Sequence, residues 1–150
     1  LGPRSIEKAL ESFSGLSHRS QLVTEIGGVV FINDSKATNV DSAMKALATF
    51  SKVRWICGGE QKEEDISRLN NALTNVKKAY VIGANTEKFS SQISCEFENC
   101  NTMDIAVQKA FRDAQAGDTV LLAPAAASFD QYGSFEERGQ AFEHEIKKLV

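Results

Sequence analysis

A chain of 150 residues with 42% hydrophobic and 25% charged residues has the size and makeup of one globular domain, which excludes an intrinsically disordered segment. Its 17 Lys and Arg against 20 Asp and Glu leave a net charge of −3, without the basic footprint of a nucleic-acid binder. The longest apolar stretch, Val120 to Ala127, is too short to span a bilayer and is interrupted by Pro124.

The chain opens on Leu1 with no basic start and apolar run behind it, so no signal peptide is expected; such a start fits a piece of a longer polypeptide as well as a processed one. Ile6, Ala9, Leu10 and Phe13 fall on one face of a helix, which Gly15 ends. The runs 21–26 and 29–33 flank Gly27-Gly28 and read as a hairpin, and the second run is apolar without alternation, as in a strand covered on both faces. Val40, Ala43, Met44 and Leu47 make a second helical stripe, followed by a strand over 53–57. Ile66, Leu69 and Leu73 predict a third helix, and 79–82 a strand. A weak helix over 87–93 and a weak strand over 95–97 precede a strong helix marked by Val107, Ala110, Phe111 and Ala114 and a strand over 119–123. The last helix carries Phe135, Phe142, Ile146 and Leu149 on one face, opened by Ser134 and Glu137 at capping-box spacing, and Phe135 is expected in the core. Three cysteines, Cys57, Cys95 and Cys100, form no CxxC pair and no zinc-ligand spacing, so a reducing cytoplasm is expected.

Strands alternating with helices predict a single α/β domain over 1–150. It is a Rossmann-like three-layer domain with a mostly parallel sheet, one antiparallel strand near the N-terminus, and helices on both faces. In such sheets ligands bind beyond the carboxyl ends of the strands, which singles out the loops 33–39, 58–64 and 123–133. The first has six polar side chains in seven residues, the second two glycines and Lys62, and the third only small residues until Ser128. Lysines and hydroxyls ahead of helix N-termini suit an anionic ligand. Plainer readings stand beside that one. Asp34, Ser35, Thr38 and Asn39 suit caps for the next helix, Lys62 suits solvent, and Ser128 and Asp130 suit a turn. His18-Arg19 is a weak pair, and His144 falls on the polar side of the last helix. No GxxxxGK[ST], GxGxxG, GxSxG or HExxH is present, so the edge invites anions but shows no catalytic residue and no metal ligand.

Five motifs in chain order together resemble the C-terminal domain of the Mur ligases, from about Leu16 onward. They are His18-Arg19, Asn33-Asp34-Ser35-Lys36-Ala37-Thr38-Asn39, Gly58-Gly59 with Lys62, Ala123 to Tyr132, and Phe135-Glu136-Glu137-Arg138-Gly139. Within that family the match is to the members that add D-glutamate. The resemblance implies a cytoplasmic, ATP-dependent amide-bond ligase of peptidoglycan precursor synthesis, in which the carboxylate of UDP-N-acetylmuramoyl-L-alanine is activated as an acyl phosphate and attacked by the amine of D-glutamate. It implies that ATP and Mg2+ are held mainly by a central domain, and the UDP-muramoyl nucleotide by an N-terminal domain, both absent from this chain, and that this domain alone is inactive. Carried over residue by residue, the implied D-glutamate contacts are Thr38, Lys62, Ser128 and Phe135, the last through its backbone. The implied nucleotide contacts are His18, Arg19, Asp34 and Lys36. The family commonly has Gly-Gly-Asp-Gly-Lys where this chain has Gly58-Gly59-Glu60-Gln61-Lys62, a change that bears on how Lys62 is delivered. Two alternatives stay open: another Mur-type or folylpolyglutamate-type ligase domain, and a non-catalytic nucleotide- or anion-binding module.

Overall fold

The computed structural model describes residues 20–150, so the helix marked by Ile6 to Phe13 and the His18-Arg19 pair lie outside the described residues. The expected hairpin forms where Gly27 and Gly28, at φ of 58° and 84°, join β1 (Gln21–Ile26) to β2 (Val29–Asn33). All five residues of β2 are buried, as a strand covered on both faces requires. There follow α1 (Val40–Thr49), β3 (Val53–Gly58), a 3-10 helix (Ser67–Ala72), β4 (Val76–Ile82), α2 (Thr86–Ser90), β5 (Phe97–Asn101), α3 (Met103–Asp113), β6 (Thr119–Leu122) and α4 (Phe135–Lys147). The sheet runs β1-β2-β6-β3-β4-β5, antiparallel between β1 and β2 and parallel in every other pairing.

Successive strand residues point to opposite faces, and this sorts the apolar side chains into two cores. On one face Ile32, Trp55, Val81 and Leu121 pack with α1, the 3-10 helix and α2. On the other Phe31, Ile56, Ile82 and Leu122 pack with α3 and α4. Helices therefore cover both faces, giving three layers.

Local differences from the sequence expectation have local causes. The stripe through Ile66, Leu69 and Leu73 forms a 3-10 helix because side chains compete for its backbone partners. Asp65 Oδ1 accepts the Ser67 N–H at 2.9 Å, and Asn70 binds Gln92 O and the Ser94 N–H instead of supporting a longer helix. β5 begins at Phe97 and runs through Glu98, Asn99 and Asn101; as an edge strand paired, among the described residues, with β4 alone, it tolerates polar residues that hide it from a hydrophobicity pattern.

The topology fixes where a ligand can go. β2 leads into α1 on one face of the sheet, while its neighbour β6 leads into α4 on the other. Asn33 stands opposite Leu122, and Leu122 opposite Ile56, so the carboxyl ends of β2, β6 and β3 lie side by side at a topological switch point.

Candidate functional site

The three loops leaving that switch point are bonded to one another. Glu60 and Ala127 exchange backbone hydrogen bonds of 2.8 and 2.9 Å, joining the 58–64 and 123–133 loops. The Gly58 N–H donates to Pro124 O and the Ala125 N–H to Ala37 O, both at 2.8 Å, so the 123–133 loop is tied to both neighbours. Two backbone conformations permit this crossing. Gly59 sits at φ +139°, where a Cβ would stand 2.4 Å from Ala127 O. Ala125 holds a left-handed φ of 59°, which costs a residue with a Cβ roughly 1–2 kcal/mol. Further along the loop, Asp130 Oδ2 accepts the Ala84 N–H at 2.9 Å, anchoring it beyond the end of β4.

Arg138 lies beneath the crossing, 1% exposed. Its Nε donates to Ser35 Oγ at 3.0 Å, its Nη2 to Ser35 O at 2.8 Å and its Nη1 to Ala126 O at 2.9 Å. Ser35 Oγ in turn donates to Phe135 O at 2.7 Å. Burial pulls the Arg138 pKa down to about 10. Asn33, fully buried, completes the support: its Oδ1 accepts the Ser35 N–H at 3.1 Å and its Nδ2 donates to Glu143 Oε2 at 2.8 Å. Sequence reasoning gave these three residues no role at the site. For Arg138 a signal was available, since it falls three residues after Phe135 and four before Phe142, on the inward stripe of α4.

A groove of about 680 Å³ opens between the 33–39 loop, α1 and the start of α4; Asp34, Lys36, Thr38 and Phe135 line it together with Ser42 and Lys45. Four sequence-predicted residues therefore meet, two implied for the amino acid and two for the nucleotide. Lys62 and Ser128 are outside this lining: Lys62 is exposed on the 58–64 loop, and Ser128 is 2% exposed on the 123–133 loop, one residue past the bridge that joins those loops. His18 and Arg19 lie outside the described residues. Phe135 does not pack in the core as expected. As the first residue of α4 it stands half-buried at the crevice wall, with Lys36 Nζ 5.9 Å from its ring centroid, while Phe142 two turns on is fully buried.

The capping readings resolve residue by residue. Asn39 Oδ1 caps α1 by accepting the Ser42 N–H at 2.8 Å, and Glu63 Oε2 reaches across from the neighbouring loop to the Val40 N–H at 2.9 Å. Asp34 instead accepts the Ser20 N–H at 3.1 Å. Ser134 Oγ accepts the Glu137 N–H at 3.1 Å, while the Glu137 carboxylate accepts from Gly133 rather than from Ser134. Gln61, in the position the family commonly fills with glycine, donates to Glu63 O at 2.6 Å and to Glu64 O at 3.3 Å, folding the chain just after Lys62. Its Oε1 is buried without a partner among the described residues.

Among the described residues no three His, Cys, Asp or Glu side chains gather to hold a metal ion. The sequence carries no GxxxxGK[ST] phosphate loop, and Asp34 and Lys36 suit hydroxyls and one anionic group. Among the described residues no helix is long and apolar enough to cross a membrane.

A family model described as "Mur ligase, glutamate ligase domain" matches residues 18–126. UDP-N-acetylmuramoylalanine--D-glutamate ligases from Ruegeria pomeroyi and Roseobacter denitrificans are each 57% identical to this chain, covering 100% of it and 32% of their own length. The chain thus spans about a third of the length of these curated relatives. Among solved structures, the bifunctional folylpolyglutamate synthase/dihydrofolate synthase of Yersinia pestis matches with a TM-score of 0.60 at 24% identity, over 99% of this chain and 34% of that one. UDP-N-acetylmuramate-alanine ligase of Thermotoga maritima matches with a TM-score of 0.56 at 14% identity, over 95% of this chain and 33% of that one. These two likenesses speak for the fold. With the family model matching well over half of its residues, the chain belongs to the Mur ligase family, in its glutamate ligase domain.

Proposed function

We propose that this chain is the amino-acid-binding domain of a cytoplasmic ATP-dependent ligase that joins D-glutamate to UDP-N-acetylmuramoyl-L-alanine in peptidoglycan precursor synthesis. The observation that carries the proposal is the mutual bonding of three strand-tip loops that bear Thr38, Lys62 and Ser128. The relatives named for that reaction, 57% identical along the whole chain, support D-glutamate as the amino acid.

D-glutamate offers two carboxylates and one amine. The Thr38 hydroxyl, the Lys62 ammonium and the Ser128 hydroxyl are complementary donors to the carboxylates, and hydrogen bonds to a charged acceptor are the stronger kind. Phe135 contributes its backbone at the start of α4. Asp34 accepts from ribose hydroxyls, and Lys36, with His18 and Arg19, meets phosphate charge. The chain's own contribution to rate is positional: an amine held against its electrophile reacts as if in one molecule. ATP and Mg2+, which activate the receiving carboxylate, belong in this proposal mainly to a central domain beyond the chain, and the UDP-muramoyl nucleotide to an N-terminal one.

The test is ligation by the full-length polypeptide given ATP, UDP-N-acetylmuramoyl-L-alanine and either enantiomer of glutamate. Phosphate release that depends on D-glutamate and not on L-glutamate supports the proposal; no turnover with D-glutamate removes it. The 150-residue chain by itself is expected to neither hydrolyse ATP nor ligate, and measurable turnover by it contradicts the division of labour.

A further inference from the structure

We infer that Arg138 is a positioning residue for the amino acid: without touching it, the buried guanidinium fixes the loops that carry Thr38, Ser128 and Lys62 and the backbone of Phe135. This rests on the proposed function.

A guanidinium 1% exposed has lost its water, and its three hydrogen bonds go to a hydroxyl and two carbonyls, none to a carboxylate. Desolvating a charge offsets much of what its hydrogen bonds return, so stability alone is a weak reason for an arginine here. What an apolar side chain cannot do is grip two loops at once in one plane. The Arg138 fork holds Ser35, in the 33–39 loop, by two groups and Ala126, in the 123–133 loop, by one.

Each proposed contact lies a short step from one of those grips. Thr38 is three residues past Ser35, across a turn closed by the Ala37 N–H to Asp34 O and the Thr38 N–H to Lys36 O at 2.9 and 2.8 Å. Ser128 is two residues past Ala126. The bridge between Ala127 and Glu60 passes the same position on to the loop bearing Lys62. Phe135 O is held by the very hydroxyl that Arg138 Nε holds. The fit is close from below as well, since a Cβ on Gly59 would lie 3.1 Å from Arg138 Nη1. Lysine keeps the charge but presents one point donor instead of a rigid fork, so charge and geometry are separable by substitution.

The experiment is steady-state ligation by the full-length polypeptide carrying Arg138→Lys, Ser35→Ala or both, with the thermal midpoint of each protein measured alongside. Arg138→Lys is expected to raise the KM for D-glutamate tenfold or more, and by more than it raises that for UDP-N-acetylmuramoyl-L-alanine. Ser35→Ala is expected to raise the glutamate KM several-fold, and the double variant to be no worse than Arg138→Lys alone, because both act through one contact. A glutamate KM unchanged by either substitution, or equal rises in both KM values, overturns the inference, as does full rescue by lysine. If Arg138→Lys does not fold, Ser35→Ala decides alone. A wild-type polypeptide that fails to ligate D-glutamate overturns the proposed function and this inference together; a wild type that ligates while the variants leave the glutamate KM unmoved overturns this inference alone.

Discussion

Replacing Gly59 with alanine should separate the two loops that meet above Arg138. The new Cβ would stand 2.4 Å from Ala127 O, a backbone atom that cannot step aside without breaking the exchange of hydrogen bonds between Glu60 and Ala127. A residue with a Cβ at φ +139° adds strain of about 1–3 kcal/mol. Losing one or both bridge bonds costs about 1 kcal/mol each. Together these come to about 3 kcal/mol, or about 6–12 °C in the melting temperature of a domain this size. Gly27→Ala is the matched control. It also sits at positive φ, 58°, but a Cβ there meets nothing within 4 Å among the described residues, so only about 1 kcal/mol of backbone strain is expected. Urea unfolding of the 150-residue chain, followed by circular dichroism, measures both. Equal losses for the two variants, or a loss below about 1 kcal/mol for Gly59→Ala, would refute the reasoning, because the close approach to Ala127 would then not be what joins the loops.

Three further outcomes are expected. In the full-length polypeptide, Lys62→Ala should raise the KM for D-glutamate about 10- to 100-fold and the KM for ATP little, since a lost charge-assisted bond is worth about 1.5–3 kcal/mol; equal rises in both would release Lys62 from the glutamate site. Asp118, 1% exposed at its side chain, accepts from Arg54 at 3.3 Å and Lys77 at 2.7 Å. Burial alone would raise its pKa, but these cations and the Gln115 N–H hold it below the usual carboxylate range. Asp118→Asn should therefore destabilise the chain by about 3 kcal/mol, with Arg54 left uncompensated, and a urea midpoint near wild type would contradict that. Burial also opposes ionisation of Asp113, yet Lys78, Tyr80 and Arg112 hold its pKa down to about 2. A folded-state pKa below the unfolded value of about 3.9 gives stability that is present above pH 4 and is lost as pH falls toward 2. Asp113→Asn should flatten that part of the stability profile by roughly 1 kcal/mol after solvent screening, and an unchanged slope between pH 4 and 2 would exclude Asp113 as its source.

The order of strands and helices was readable because most of its signals are local. Gly27-Gly28 announces a hairpin, the unbroken apolar run of β2 announces a strand buried on both faces, and the stripes of α1, α3 and α4 repeat at helical spacing. What the sequence obscured depends on partners far along the chain. β5 is polar because, among the described residues, its outer edge has no neighbour in the sheet. The helix expected around Leu69 is a single 3-10 segment because Asn70 bonds to Gln92 and Ser94, more than twenty residues away. At the site, the rule that ligands gather beyond parallel strand tips located all three loops, and four candidate residues do line one groove. The residues that hold the loops together were harder to see. An arginine in a helix reads as solvent-facing even at an inward position of the stripe, and the groups that hold its charge there, on Ser35 and Ala126, are 103 and 12 residues away. Phe135 misled for the opposite reason: an aromatic on an apolar stripe reads as core, but at the first turn of α4 that stripe has already reached the crevice.

A crystal structure of the full-length polypeptide bound to UDP-N-acetylmuramoyl-L-alanyl-D-glutamate is the decisive measurement. The glutamyl carboxylates are expected within about 3.2 Å of Thr38 Oγ1, Lys62 Nζ and Ser128 Oγ, with the Arg138 hydrogen bonds to Ser35 and Ala126 unchanged. A glutamyl group bound away from the ends of β2, β3 and β6, with those three side chains turned to solvent, would contradict the convergence of strand tips on the amino acid.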